Sequence, residues 1–222
     1  MIATSGGKDA TLALHYLRFN PKFSHYEPIG LMTTFYTQTG RSTAHNIRQD
    51  VMQAQADALG LPLHILNLEN KRGQAYTDYD QKIGRFYEEL KQQGITDVMY
   101  GDIHLEDVKA YRENLNKQHG ITGVYPLWDN TPQQIMDSFL SLGYQTLIVA
   151  VDSTKLTEDY LGKTMTQSLL DQLPEGVDQC AEYGEYHTFC VNGPMFKQVI
   201  PIQTGAHSFD GRNWYVDLLL SQ

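Results

Sequence analysis

The sequence predicts an α/β protein: an open parallel sheet with helices on both faces, followed by a smaller C-terminal α+β domain. Three observations carry this expectation. Apolar runs of strand length alternate with helix-period segments through the first half, and Ser5-Gly6-Gly7 joins the first such run to the first helix. Beyond Pro126 the alternation gives way to short extended runs marked by Asn192-Gly193 and Asp210-Gly211 turns. The change of character divides the chain into 1–125 and 126–222.

The elements follow in order. Ile2–Thr4 is a short first strand, and the helix from about Lys8 to Phe19 has Leu12, Leu14 and Leu17 among its apolar positions. Pro28–Thr34 reads as the second strand. In a helix from about Ala44 to Leu59, Ile47, Val51, Ala54 and Ala58 recur every three or four residues and mark one buried face. Gly60 ends it as a C′ residue. Strand Leu63–Leu66, helix Tyr79–Gln92, strand Val98–Tyr100 and helix Leu105–Lys117 continue the pattern. Right-handed crossovers join such strands, and ligands bind at their carboxyl ends, from which the loops after Thr4 and Tyr100 leave. In the C-terminal part the expectation is helix Pro132–Leu142, strand Thr146–Val151 and helix Gly162–Leu173. Extended runs follow at His187–Val191, Met195–Pro201 and Trp214–Leu220.

Composition excludes several classes. With 41% hydrophobic and 19% charged residues the chain reads as soluble and globular. Seventeen basic against 26 acidic residues, a net charge of −9, argue against general nucleic-acid binding. A local phosphate pocket of backbone N–H groups and one lysine remains compatible with that charge. Cys180 and Cys190 fit neither a CxxC pair nor a zinc site and read as buried, inert thiols. No apolar run approaches the roughly 18 residues of a membrane span, and the start is too short for a signal peptide, so the expected location is cytoplasmic.

Chemistry concentrates in three clusters. In Ser5-Gly6-Gly7-Lys8-Asp9 the glycines let the backbone approach an anion, and the helix N-terminus supplies positive potential. Ser5 adds a hydroxyl, Lys8 a mobile charge for a departing pyrophosphate, and Asp9 either holds Mg²⁺ or caps the helix. Thr33, late in the second strand, is grouped with this loop. The string is not a Walker A motif, and Gly162-Lys163-Thr164 fails as one because Thr157 stands where a glycine is required. In the second cluster Gly101 allows close approach of a ligand and Asp102 ends at the active edge of the sheet. His45 and Arg48 open the second helix, where Arg48 can reach a phosphate or carboxylate. In the third, Glu182 and Glu185 lie three residues apart before a strand, placed to orient a cationic nucleophile or accept its proton; a solvated turn is the competing reading.

The first string resembles the S-G-G-x-D-S signature of the PP-loop ATP pyrophosphatases, with Ala10 in place of the final serine. Together with Tyr100-Gly101-Asp102, Tyr111-Arg112 and Glu182-Tyr183-Gly184-Glu185-Tyr186-His187-Thr188-Phe189, it resembles the diphthine–ammonia ligase family, and the loop Gln38–His45, with Ser42-Thr43-Ala44-His45-Asn46-Ile47-Arg48, looks closer to its bacterial relatives. Pro126-Leu127-Trp128, Leu161-Gly162-Lys163 and Asn192-Gly193-Pro194-Met195-Phe196 extend the likeness over nearly the whole chain, and Ala181 departs from it where the family has glycine. The resemblance implies a PP-loop, HUP-like domain that binds MgATP and splits it to AMP and pyrophosphate, activating a small-molecule or protein carboxylate for ammonia or an amine. It implies Lys8, Asp102, Glu182 and Glu185 as catalytic, and Ser5, Gly6, Gly7, Lys8, Asp9, Ala10, Thr33 and Gly101 around ATP, with Asp9 at the metal. His45, Arg48, Tyr186, His187 and Thr188 would face the acceptor. No membrane partner is expected, and a homodimer is compatible with the sequence. Two other readings compete: a non-catalytic ATP or AMP sensor, which Ala10 allows, and a tRNA-modifying PP-loop enzyme, against which the net charge and the two late cysteines speak.

Overall fold

The computed structural model describes residues 1–69 and 78–221. Its first sheet comprises β1 (Ile2–Ala3), β2 (Leu31–Tyr36), β3 (Arg41–Ser42), β4 (Leu63–Leu68), β5 (Asp97–Met99) and β6 (Thr122–Val124). β4 runs parallel along all of β2. The opposite edge of β2 is shared: β1 pairs with its beginning, Ile2 opposite Leu31, and β3 folds back on its end, Phe35 opposite Ser42. β5 joins β1, and β6 joins β5, both parallel. The chain therefore winds outward from β1 to β4 and returns to the other side of β1. That leaves a topological switch point at β1's carboxyl end, where such sheets bind ligands.

Helices cover both faces, as the alternation predicts. On one face α3 (Tyr79–Gln92) turns Ile83, Phe86, Tyr87 and Leu90 inward, and α4 (Glu106–Gln118) adds Leu115, against Met32, Val98 and Tyr100. On the other lie α1 (Lys8–Phe19) and α2 (Gln49–Leu59). Leu12, Ala13 and Leu14 of α1 are all buried because a second layer covers that helix from outside.

That layer is C-terminal. It holds α5 (Pro132–Ser141), β7 (Gln145–Asp152), α6 (Gln167–Leu170), β8 (Tyr186–Asn192), β9 (Ile202–Phe209) and β10 (Asn213–Leu220). The four strands form an antiparallel sheet in the order β8-β7-β10-β9. Thr131 and Gln134 form a capping box with Pro132 in the first turn, which fixes the start of α5. α1 packs on β8 and α5, and α2 on β10, so one apolar core runs from Ile2 and Phe35 through Met52 to Phe139, Val149 and Phe189.

Several expected elements are corrected. The second helix begins at Gln49 rather than Ala44: Asn46 is left-handed (φ 60°), and Ser42 N donates to Ile47 O, closing a tight loop before the helix. The helix expected over Gly162–Leu173 shrinks to Gln167–Leu170. Gly162 is left-handed (φ 73°), and residues 162–165 pair along β7, Ile148 N to Lys163 O and Met165 N to Thr146 O. Met195–Pro201 is not a strand; the extended segment is Ile202–Phe209, after Pro201. The short strands β3 and β6 escape periodicity, which two or three residues cannot display.

Candidate active site

The glycine loop leaves β1 at the switch point and is clamped by the second sheet. Gly6 is left-handed (φ 81°), and a Cβ there would lie 2.7 Å from the Phe189 ring. A Cβ on Gly7 would lie 2.7 Å from the His45 imidazole. Backbone and packing together demand glycine at position 6; at position 7 a side chain would have to displace the His45 ring and crowd Thr188 O. Cys190 N donates to Gly6 O at 2.9 Å, and Lys8 N donates to Thr188 Oγ1 at 3.1 Å, so β8 fixes both sides of the loop. Gln55 of α2, fully buried, completes the clamp by donating to Gly6 O at 2.9 Å and Cys190 O at 2.7 Å. No motif singles out Gln55. Its sequence signal is a polar residue between Val51 and Ala58 on the apolar face of the helix.

Lys8 is not the mobile charge expected of it. Its side chain is 3% exposed, with Nζ 2.8 Å from Asp9 Oδ2 and also donating to the carbonyl of Cys180. Burial works against its charge, but Asp9, Tyr186 and Cys180 together outweigh burial and the lysine pKa is raised. Lys8 therefore stays protonated beneath the loop. Burial also pushes both thiols up to about 12, in keeping with inert cysteines.

A cavity of about 450 Å³ opens at the carboxyl ends of β1, β2 and β5. Ser5, Asp9 and Ala10 line it from the glycine loop, Thr33 and Thr34 from β2, and Thr43 and Ala44 from the loop after β3. Gly101, Asp102, Tyr111 and Arg112 face them, and Glu182 enters from the C-terminal layer. Gly101 serves a close approach, but of protein: a Cβ there would meet the backbone N of Ala10 at 2.8 Å. Asp102 pairs with Arg112 at 2.6 Å, and the guanidinium lies 4.6 Å from the centre of the Tyr100 ring. Tyr100 is itself held by hydroxyl bonds to Tyr87 (2.6 Å) and Asn116 (2.7 Å). Arg112 thus joins the site as a cation in the cavity wall; the sequence marks it only as half of the Tyr111-Arg112 string, with no role attached.

The two glutamates part company. Glu182 lines the cavity, its carboxyl pushed up to about 7 by burial and then by Asp9, against the pull of Lys8. Glu185 is buried behind it: Oε1 accepts from Asp178 N at 3.3 Å, and Oε2 has no hydrogen-bond partner among the described residues. Ala181, before Glu182, is left-handed (φ 56°), the conformation that glycine takes without strain. Tyr186, Thr188 and His187 lie on β8, away from the cavity wall: Tyr186 is buried near Lys8, Thr188 caps the loop, and His187 stacks on His45 at 4.7 Å. His45 Nδ1 lies 2.8 Å from Thr188 O. Arg48 stands at the start of α2 and pairs with Asp217 of β10 at 2.6 Å instead of facing the cavity.

Among the described residues no group of three or more His, Cys, Asp or Glu side chains is arranged to hold a metal ion by itself. Mg²⁺ is ordinarily shared between one or two carboxylates, water and substrate phosphates. Asp9, at the glycine loop in the cavity wall, fits that donor set, and a Mg²⁺ there would share its carboxylate with Lys8 Nζ, which lies 2.9 and 2.8 Å from the two oxygens. No helix among the described residues is long and apolar enough to cross a membrane.

Comparison with known proteins identifies the family. The chain matches the family model for the diphthamide synthase N-terminal domain over residues 1–123 and that for the C-terminal domain over 131–220. It is 30% identical over 172 residues to the diphthine–ammonia ligases of Bos taurus and Homo sapiens, an alignment covering 70% of this chain and 64% of theirs. The Danio rerio diphthine–ammonia ligase is also 30% identical, with 67% of its length covered. With both domain models matched and relatives found from fish to mammals, the chain belongs to the diphthamide synthase family.

Proposed function

We propose that the chain is an AMP-forming ligase that activates a carboxylate with ATP and passes it to ammonia or a small amine. The observation that carries the reading is the cavity at the switch point, where the glycine loop, Asp102–Arg112 and Glu182 converge from three separate segments. Residues 1–125 supply the nucleotide half and 126–222 bring Glu182 and Glu185. Ser5, Ala10 and the first turn of α1, where helix amides favour negative charge, would hold the phosphates of ATP, and Thr33, Thr34 and Ala44 line the wall that would receive its base. Mg²⁺, when bound, neutralises phosphate charge at Asp9. An acceptor carboxylate oxygen attacks the α-phosphorus, the bond to the bridging oxygen of the β-phosphate breaks, and pyrophosphate leaves. Lys8, charged below the loop, contributes fixed positive potential rather than direct contact.

Arg112 holds the acceptor. Asp102 engages its Nε and Nη2 side, so the remaining edge of the guanidinium is the one available to a second carboxylate. The amine nitrogen then attacks the acyl carbon, AMP departs, and Glu182, with a pKa of about 7, takes the proton released. The test is product identity: purified protein, MgATP, ammonium chloride and a panel of carboxylic acids, followed by phosphorus NMR. AMP and pyrophosphate formed only with an acid present support the reading; ADP and phosphate would refute it.

A further inference from the structure

The loop between β3 and α2 forms one wall of the cavity through Thr43 and Ala44, yet it is anchored from the far sheet. Within the loop, Ser42 N donates to Ile47 O, Asn46 N to Ser42 O, and Ile47 N to Ser42 Oγ, while Arg41 and Arg48 bridge across its base. Thr43 is held on β2, its N donating to Thr34 O at 3.0 Å and its hydroxyl 2.6 Å from that of Thr34. The two arginines at the base converge on one carboxylate. Asp217 of β10 meets Arg41 Nη1 at 2.5 Å, and it meets Arg48 through Nε at 2.9 Å and Nη2 at 2.6 Å. The pair is part-buried, and the same Arg41 Nη1 also reaches Asn46 O at 3.4 Å.

We infer that Asp217 is a positioning residue for the nucleotide: it pins both ends of the loop spanning residues 41–48 and so holds Thr43 and Ala44 where ATP needs them. The inference rests on the ATP reading above. A carboxylate in the second sheet would then set the shape of a site in the first, giving the C-terminal layer a role beyond carrying Glu182. A half-exposed arginine alone costs little to release, but two guanidiniums sharing one carboxylate lose their common partner together.

The test uses the whole chain and α,β-methylene-ATP with Mg²⁺, titrated calorimetrically. In Asp217→Asn the loop leaves its binding-competent form most of the time, and affinity falls roughly tenfold if about a tenth of the molecules remain competent. Asp217→Glu keeps the charge and recovers most of that loss. Amide exchange by mass spectrometry rises over residues 42–47 in Asp217→Asn, with or without nucleotide. Arg212→Met, which breaks the Asp152–Arg212 pair (2.9 Å) elsewhere in the same sheet, leaves affinity as it was. Should Asp217→Asn fail to fold, Arg41→Gln, which spares the Arg48 pair, shows a smaller loss in the same direction. Unchanged affinity and exchange in the folded Asp217 or Arg41 variants overturn the inference while the ATP reading stands. An equal loss in Arg212→Met overturns it too. Absence of binding by the wild type sinks both.

Discussion

Lys8 shows how far a residue can be read from sequence. Its identity and place in the glycine string are legible; its direction is not, because only the folded chain brings Cys180 O and Tyr186 beside it. Lys8 is buried while Asp9 opens on the cavity, so Lys8→Ala, which leaves the Cys180 carbonyl without its donor, is expected to lower stability by about 1–3 kcal/mol in denaturant unfolding, and loss of turnover in that variant would not isolate a catalytic role. Glu182 is legible as a candidate, but its environment is not. Between the ordinary carboxyl value of 4.5 and its raised value of about 7, the folded state keeps a proton that the unfolded state has released. Stability therefore falls as pH rises through that window, and Glu182→Gln is expected to remove this fall in urea titrations at pH 5 and pH 8. The rate of amide formation is expected to rise with pH to a plateau above about 7, and the same substitution abolishes the rise. Ala181 stands where the family has glycine, and its left-handed backbone gives that departure a cost. Ala181→Gly is expected to raise stability by roughly 1 kcal/mol in thermal unfolding.

At the scale of elements, periodicity succeeds where a segment is long and buried on one face. α1 and α3 fall on Lys8–Phe19 and Tyr79–Gln92 as expected, because their apolar positions repeat over three or more turns. It fails where tertiary pairing overrides a local pattern, as along residues 162–165, which join β7 instead of a helix. The start of α2 is misplaced by sequence because the apolar spacing continues through Ile47 into a loop that Asn46 and Ser42 close. Gln55 on that helix illustrates the reverse, a polar residue whose burial is specified by the element it clamps. Gln55→Leu leaves the carbonyls of Gly6 and Cys190 without its amide, and a loss of about 1–3 kcal/mol is expected in denaturant unfolding. Nucleotide affinity falls with it, because the loop loses its brace.

For the whole molecule, the two sheets act as one body through α1 and α2, which lie between them within a continuous core. The parallel sheet, with its loops at the carboxyl ends of the strands, follows from strand–helix alternation and can be read in advance; the strand order with its switch point at β1 cannot, and neither can the pinning of the first sheet's loops by β8 and β10, since those contacts join residues more than a hundred positions apart. What this junction of two sheets builds, on the reading proposed above, is an ATP site. Calorimetric titration of the wild-type chain with α,β-methylene-ATP, with and without Mg²⁺, puts that to the test. Saturable binding of one nucleotide per chain is expected, stronger with Mg²⁺ than without. No heat of binding at millimolar nucleotide in the presence of Mg²⁺ would mean that the cavity is not a nucleotide site.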